Sequence, residues 1–180
     1  MSDTLSIEPS ILMSDLIVQY PGAQRALFRK YHIGGCASCG YQPTETLADV
    51  CKRNENLPVG DVIGTILEGH EADLKMQVDV KEAAELVKAD KAKIVDVRSR
   101  EEYEAVKIEG STFMTQELMQ VLGNWPREQL IILVCHHGLR SLDAAAYFQG
   151  HGLHNVRSMR GGIDAWSLNV DPSLPQYELE

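Results

Sequence analysis

The 180-residue sequence predicts an α/β fold, a parallel sheet covered by helices on both faces, preceded by a small all-α domain. Two observations carry this expectation. From Lys75 onward, short Val- and Ile-rich runs such as "KIVDVR" and "QLIILVC" alternate with helical stretches, and neither run alternates polar with apolar residues, as expected of strands buried on both faces. Before Lys75 the periodic segments are all helical and no convincing strand appears. Strands that alternate with helices imply βαβ units and therefore parallel pairing.

In the first domain, residues 1–74, helices are expected in "SDLIVQY", in "PGAQRALFRKY" with Pro21 suited to a helix start, in "TETLADVCKRN" and in "LPVGDVIGTILEGHEADL". Leu47, Val50 and Cys51 share one helical face, which places Cys51 on an apolar surface. In the second domain, residues 75–170, "DVKE" from Asp79 and "SREE" from Ser99 each set a glutamate three residues after a capping side chain, the capping-box pattern. A further helix is expected to begin near Ser141 and to end at Gly150 and Gly152. The closing "NVDPSLPQYELE" reads as a surface extension, with residues 171–180 beyond the domain.

Apolar residues make up 44% and charged residues 24% of the chain, values of a folding globular sequence. The net charge is −9, ten of the acids against five bases lie within residues 1–74, and no lysine or arginine cluster breaks the pattern. Nucleic acid and anionic membrane are therefore not expected as partners, because both need a basic face. No segment reaches the ~20 apolar residues of a membrane span, and "MSDTLSIEPS" lacks the features of a signal peptide, so a cytoplasmic location is expected. Four cysteines, at 36, 39, 51 and 135, are too few and too unevenly placed for a disulfide framework. In a reducing compartment, such spacings point to metal, redox or nucleophilic chemistry.

The stretch "LVCHHGLRS" concentrates that chemistry. Leu130 to Val134 are expected to form a central strand with Cys135 at its carboxyl end, where open α/β sheets bind ligands. The loop after it can turn backbone N–H groups inward as a nest for one anionic atom, and the next helix adds its positive N-terminal end. Gly138 allows a backbone conformation that a side chain resists, and Arg140 adds a fixed charge with a fork of donors. Each term favours thiolate over thiol, so Cys135 is the expected nucleophile. The alternative is a buried structural cysteine at a strand end. For His136 and His137, a role in holding the loop or substrate and a paired solvent-facing role both stay open.

Residues Lys75 to Trp166 resemble a single-domain rhodanese through four ordered motifs. "IVDVRSREEYE" resembles the family's Asp-x-Arg strand and helix, "IEGS" its short Ile-x-Gly turn, "CHHGLRS" its active-site loop and "GGIDAW" its closing Gly-Gly-x-x-x-Trp element. The resemblance implies a five-stranded parallel sheet flanked by helices, and a Cys135 that accepts sulfane sulfur and passes it on. It also implies a sulfur-binding cradle built from Cys135, His136, His137, Gly138, Leu139 and Arg140. Asp96 and Arg98 would lie near the pocket, either touching substrate or bracing the sheet edge. Gly161, Gly162 and Trp166 would serve turns and packing. One departure is visible, Lys107 where the family often has His before the Ile-x-Gly turn. Related phosphatases separate Cys and Arg by five residues; here four, His136 to Leu139, intervene, a smaller ring that suits one sulfur atom better than a phosphate group.

The second cysteine site is "YHIGGCASCGYQPTETLADVC", which resembles small helical modules found alone or ahead of iron–sulfur repair and redox proteins. Cys36 and Cys39 form C-x-x-C, a spacing used for dithiol redox chemistry and for half of a metal site. Three readings remain: a redox or sulfur-relay pair, a metal or iron–sulfur site completed by Cys51 and His32, and unreactive cysteines in a glycine-rich turn. The expected function is a rhodanese-type sulfurtransferase without a required cofactor, moving sulfur from thiosulfate or a persulfide to a thiol, cyanide or thiol-bearing protein. The alternative is a weakly catalytic or non-catalytic adaptor that senses redox state or metal and binds a partner through its rhodanese-like domain.

Overall fold

Residues 6–34 and 40–176 are described in the computed structural model of the chain, which divides into two units, residues 1–74 and 75–180. Cys36 and Cys39 lie outside the described residues.

The first unit holds α1 (Met13–Gln19), α2 (Ala23–Tyr31), α3 (Leu47–Arg53) and α4 (Val59–Lys75). Helix α2 stops where His32 turns left-handed at φ 58° and its N–H bonds back to Leu27 and Phe28 carbonyls. Helix α3 starts in a capping box, with Thr46 Oγ1 accepting from the Asp49 N–H while the Asp49 carboxylate accepts from the Thr46 N–H. Met13, Leu16, Leu27, Leu47, Val50, Cys51, Val62 and Ile66 form its core. Arg25 pairs with the buried Asp73. Among the described residues of this unit, extended pairing is limited to one bridge between Leu12 and Thr46.

The second unit contains β1 (Gln77–Val78), α5 (Val80–Lys88), β2 (Ala92–Asp96), α6 (Arg100–Ala105), β3 (Thr112–Phe113), α7 (Gln116–Val121), β4 (Leu130–Val134), α8 (Leu139–Gly150), β5 (Val156–Met159) and α9 (Gly162–Asn169). The five strands form one sheet in the order β1-β5-β4-β2-β3, every pairing parallel. Strand β4 is central because its side chains bury on both faces. Ile132 and Val134 join Val80, Ala83, Ile163 and Trp166 of α5 and α9, while Ile131 and Leu133 join Ala145 and Phe148 of α8. Full burial of such side chains contributes about 1.5–3 kcal/mol each, which locks the period-2 register of the strand.

Three details depart from the sequence expectation. Ser99 and Glu102 do form a capping box, whereas the Asp79 carboxylate accepts from the Lys81 N–H, at the second helical position and not at the third that a capping box uses. Helix α8 begins at Leu139, two residues before Ser141, because Gly138 at φ 90° turns the chain into the helix at once. The C-terminal segment is partly anchored: Val170 and Leu174 pack on the core of this unit, and Gln176 donates to Asp164.

Candidate active site

The strand order itself creates a crevice. From β2 the chain moves outward to β3, whereas from β4 it moves to the other side, to β5, so the connections after β2 and β4 diverge. Ligand sites of open α/β sheets lie at the carboxyl ends of such a strand pair. Asp96 ends β2, paired in register with Val134 at the end of β4, and Cys135 follows directly.

Cys135 is buried, and its Sγ accepts from the backbone N–H of Gly138 at 3.1 Å and of Ser141 at 3.3 Å. The sulfur thus serves first-turn donors of α8 that have no intrahelical partner, and the helix end and both dipoles favour negative charge there. Ser141 Oγ lies 3.3 Å from Sγ and 2.8 Å from Ser158 Oγ, and the Ser158 hydroxyl reaches the Gly138 carbonyl at 3.4 Å. Both serines are completely buried. Ser158 arrives through the parallel register of β5 with β4, in which it faces Leu133.

The loop is turned by α9. The Ile163 N–H donates to the Cys135 carbonyl at 2.9 Å and the Asp164 N–H to the His136 carbonyl at 3.2 Å. With its carbonyls drawn to that side, the loop turns N–H groups toward the sulfur. This requires glycine at 162, where φ is 62° and a Cβ would sit 2.2 Å from the His136 carbonyl oxygen and 2.3 Å from that of Cys135. Gly138 is under a similar constraint, a Cβ there meeting the Gly161 nitrogen at 2.9 Å.

The charged residues are arranged in pairs. Asp96 and Arg98 have fully buried side chains, joined at 2.7–3.1 Å, and Arg98 also donates to the Val106 carbonyl. Their geometry is that of a brace between β2 and the segment after α6. Arg140 sits in the first turn of α8, and its guanidinium is half exposed and bound at two points by the Glu102 carboxylate, at 2.7 and 2.9 Å. Glu102, buried on α6, therefore spans the crevice and caps its own helix with the same carboxylate. His136 and His137 stack at 3.9 Å but differ in setting: His136 is buried, whereas His137 is exposed, 4.0 Å from Asp164, which corrects the reading of a paired solvent-facing role. Burial lowers the His136 pKa below the ordinary histidine value, aided by His137 and Arg98 and opposed by Asp164 and Glu102. Leu139 is an exposed first residue of α8 and not a loop residue.

Sequence reasoning missed Ser158, Glu102 as the partner of Arg140, and the contact of Gly162 with the loop. The "SREE" pattern marked Glu102 only as a helix cap. Lys107 lies with its ammonium over the Tyr103 ring, 5.1 Å from its centroid. Cys51 is wholly buried among apolar side chains, which raises its thiol pKa, and among the described residues no three His, Cys, Asp or Glu side chains group to hold a metal. Trp166 packs in the core.

Over 100 residues the chain is 35% identical to a thiosulfate sulfurtransferase, GlpE, of Pseudomonas entomophila, a match spanning 55% of this chain and 92% of that protein. Over 97 residues it is 36% identical to the rhodanese-like/PpiC domain-containing protein 12, chloroplastic, of Arabidopsis thaliana, covering 49% of this chain and only 31% of the relative. Among solved structures, the reduced Bacillus anthracis CoADR-RHD superposes with a TM-score of 0.50 at 23% identity, over 65% of this chain and 21% of that one, a likeness of fold. The family model "Rhodanese-like domain" matches residues 79–169, which hold the sheet from β2 to β5, the Cys135 cradle and the α9 glycines. The chain belongs to the rhodanese-like domain family.

Proposed function

We propose that this chain is a sulfurtransferase in which Cys135 carries sulfane sulfur as a persulfide. The observation that supports it most is the pair of N–H donors, from Gly138 and Ser141, aimed at a cysteine sulfur at the head of α8. Two backbone N–H groups aimed at one atom form a fixed seat for a sulfur acceptor. In the reaction the Cys135 thiolate attacks the outer sulfur of the donor. A Cys135 Sγ–S bond forms, the donor's S–S bond breaks, and its electron pair leaves with the donor's remaining fragment. An acceptor thiolate then attacks the bound sulfur and regenerates Cys135. The Gly138 and Ser141 N–H groups hold the anionic sulfur between the two steps, with Arg140, bound to Glu102, in the same first turn of α8.

Intact-mass and peptide mass spectrometry after incubation with a sulfane-sulfur donor is the test. Addition of one sulfur atom at Cys135, lost on adding an acceptor thiol, is expected. A Cys135→Ser protein that transfers sulfur as fast as the parent refutes the proposal. The same digest reports whether sulfur also reaches Cys36 or Cys39.

A further inference from the structure

The way the site balances its charges points to the class of sulfur donor. Resting on the sulfur-transfer reading, we infer that this site draws sulfur from a persulfide terminus, neutral or singly charged, in preference to a compact dianion such as thiosulfate, and that Glu102 sets this preference. Arg140, in the first turn of α8, is bound at two points by Glu102 at 2.7 and 2.9 Å. Arg98 is bound to Asp96, both side chains fully buried. Asp164 adds a third carboxylate at the rim, 4.0 Å from His137. Each of these two guanidinium groups is thus bound by a carboxylate, and the backbone donors directed at the sulfur are neutral N–H groups.

Such a nest suits one negative charge on one atom. A persulfide presents that charge on its terminal sulfur alone. Attack by the Cys135 thiolate then joins Sγ to that sulfur, breaks the donor's S–S bond and releases a thiolate carrying the electron pair, so no multiply charged group must enter. Thiosulfate undergoes the same exchange but brings two negative charges and releases sulfite as a dianion. Its sulfonate would approach a carboxylate already bound to Arg140, an interaction that burial of Glu102 leaves only weakly screened. Glu102 acts through Arg140 and is a positioning residue that sets specificity.

The experiment measures the second-order rate of Cys135 persulfide formation by mass spectrometry in the full chain, with thiosulfate and with glutathione persulfide as donors. The parent is expected to load faster from the persulfide. Glu102→Gln, which keeps shape and a hydrogen-bonding carbonyl but frees the Arg140 charge, should shift the rate ratio toward thiosulfate by on the order of tenfold, the scale of one screened charge–charge contact. Glu102→Asp, which restores the carboxylate, should return the ratio toward the parent's. Ser99→Ala removes the cap hydroxyl without touching the Arg140 pair and should leave the ratio unchanged. A parent that loads faster from thiosulfate, or a Glu102→Gln ratio equal to the parent's, overturns the inference while leaving sulfur transfer intact. Absence of Cys135 loading from either donor overturns the sulfur-transfer reading, and this inference with it.

Discussion

Replacing Gly162 with alanine tests whether α9 turns the Cys135 loop. The alanine Cβ would stand 2.2 Å from the His136 carbonyl oxygen and 2.3 Å from the Cys135 carbonyl oxygen, at a φ of 62°. Both obstructing atoms are backbone, so the loop or the start of α9 must move. The left-handed conformation costs an L side chain about 1–2 kcal/mol. Movement also weakens the Ile163-to-Cys135 and Asp164-to-His136 hydrogen bonds, at about 1 kcal/mol each, for a total of roughly 3–4 kcal/mol. In a unit of this size each kcal/mol lowers the Tm by roughly 4–8 °C, so a fall of roughly 12–32 °C is expected. The assay is built into the sequence: the chain has two tryptophans, Trp125 and Trp166, both in the second unit, so their fluorescence reports its unfolding. Gly150→Ala is the control, since a Cβ there meets nothing within 4 Å, and it should change stability by no more than ~0.5 kcal/mol. A Gly162→Ala protein that melts within a few degrees of the parent, with Cys135 alkylated at the parent's rate, would show that the α9 contact does not shape the loop.

Two other outcomes follow from the charged groups. Asp96→Asn leaves the buried Arg98 guanidinium without its carboxylate, and a loss of about 3–5 kcal/mol is expected from the urea midpoint; a loss under ~1 kcal/mol would remove the pair from its bracing role. For His136, burial lowers the folded-state pKa below the unfolded value of 6.5, so the unfolded chain takes up this proton first as pH falls. Its contribution is therefore favourable above 6.5 and is lost as pH drops from there through the folded-state value. An NMR titration should place His136 below the ordinary histidine value, and His136→Gln should flatten that part of the stability profile; a His136 that titrates at or above 6.5 contradicts the burial.

Much of the local structure was legible because short-range physics decides it. The Ser99 cap writes the start of α6 within four residues, and the 3.6-residue spacing of Leu47, Val50 and Cys51 correctly buries Cys51. The unalternated apolar run of β4 announced a strand covered on both sides, as Ile131 and Ile132 on opposite faces show. Helix α8 starts two residues ahead of Ser141 because the left-handed turn at Gly138 leads straight into it, at a position where any side chain would crowd the backbone of Met159 and Gly161 far along the chain. Asp79 looked like half of a capping box because spacing alone does not tell whether a cap bonds the second or the third helical amide.

What the sequence determined by itself, then, was that a cysteine follows the central strand, that four residues separate it from Arg140, and that a helix leads away from them. Tertiary structure decided what surrounds that order. Glu102 meets Arg140 across 38 residues of sequence, Ser158 reaches Ser141 across 17, and Gly162 closes on the Cys135 and His136 carbonyls from the head of α9. These contacts exist because a parallel sheet takes its neighbours from crossovers, so β2 and β5 flank β4 and bring their following segments to the same carboxyl edge. A local motif can specify which residues share a loop; the charges beside that loop depend on side chains that only the packed sheet brings to it.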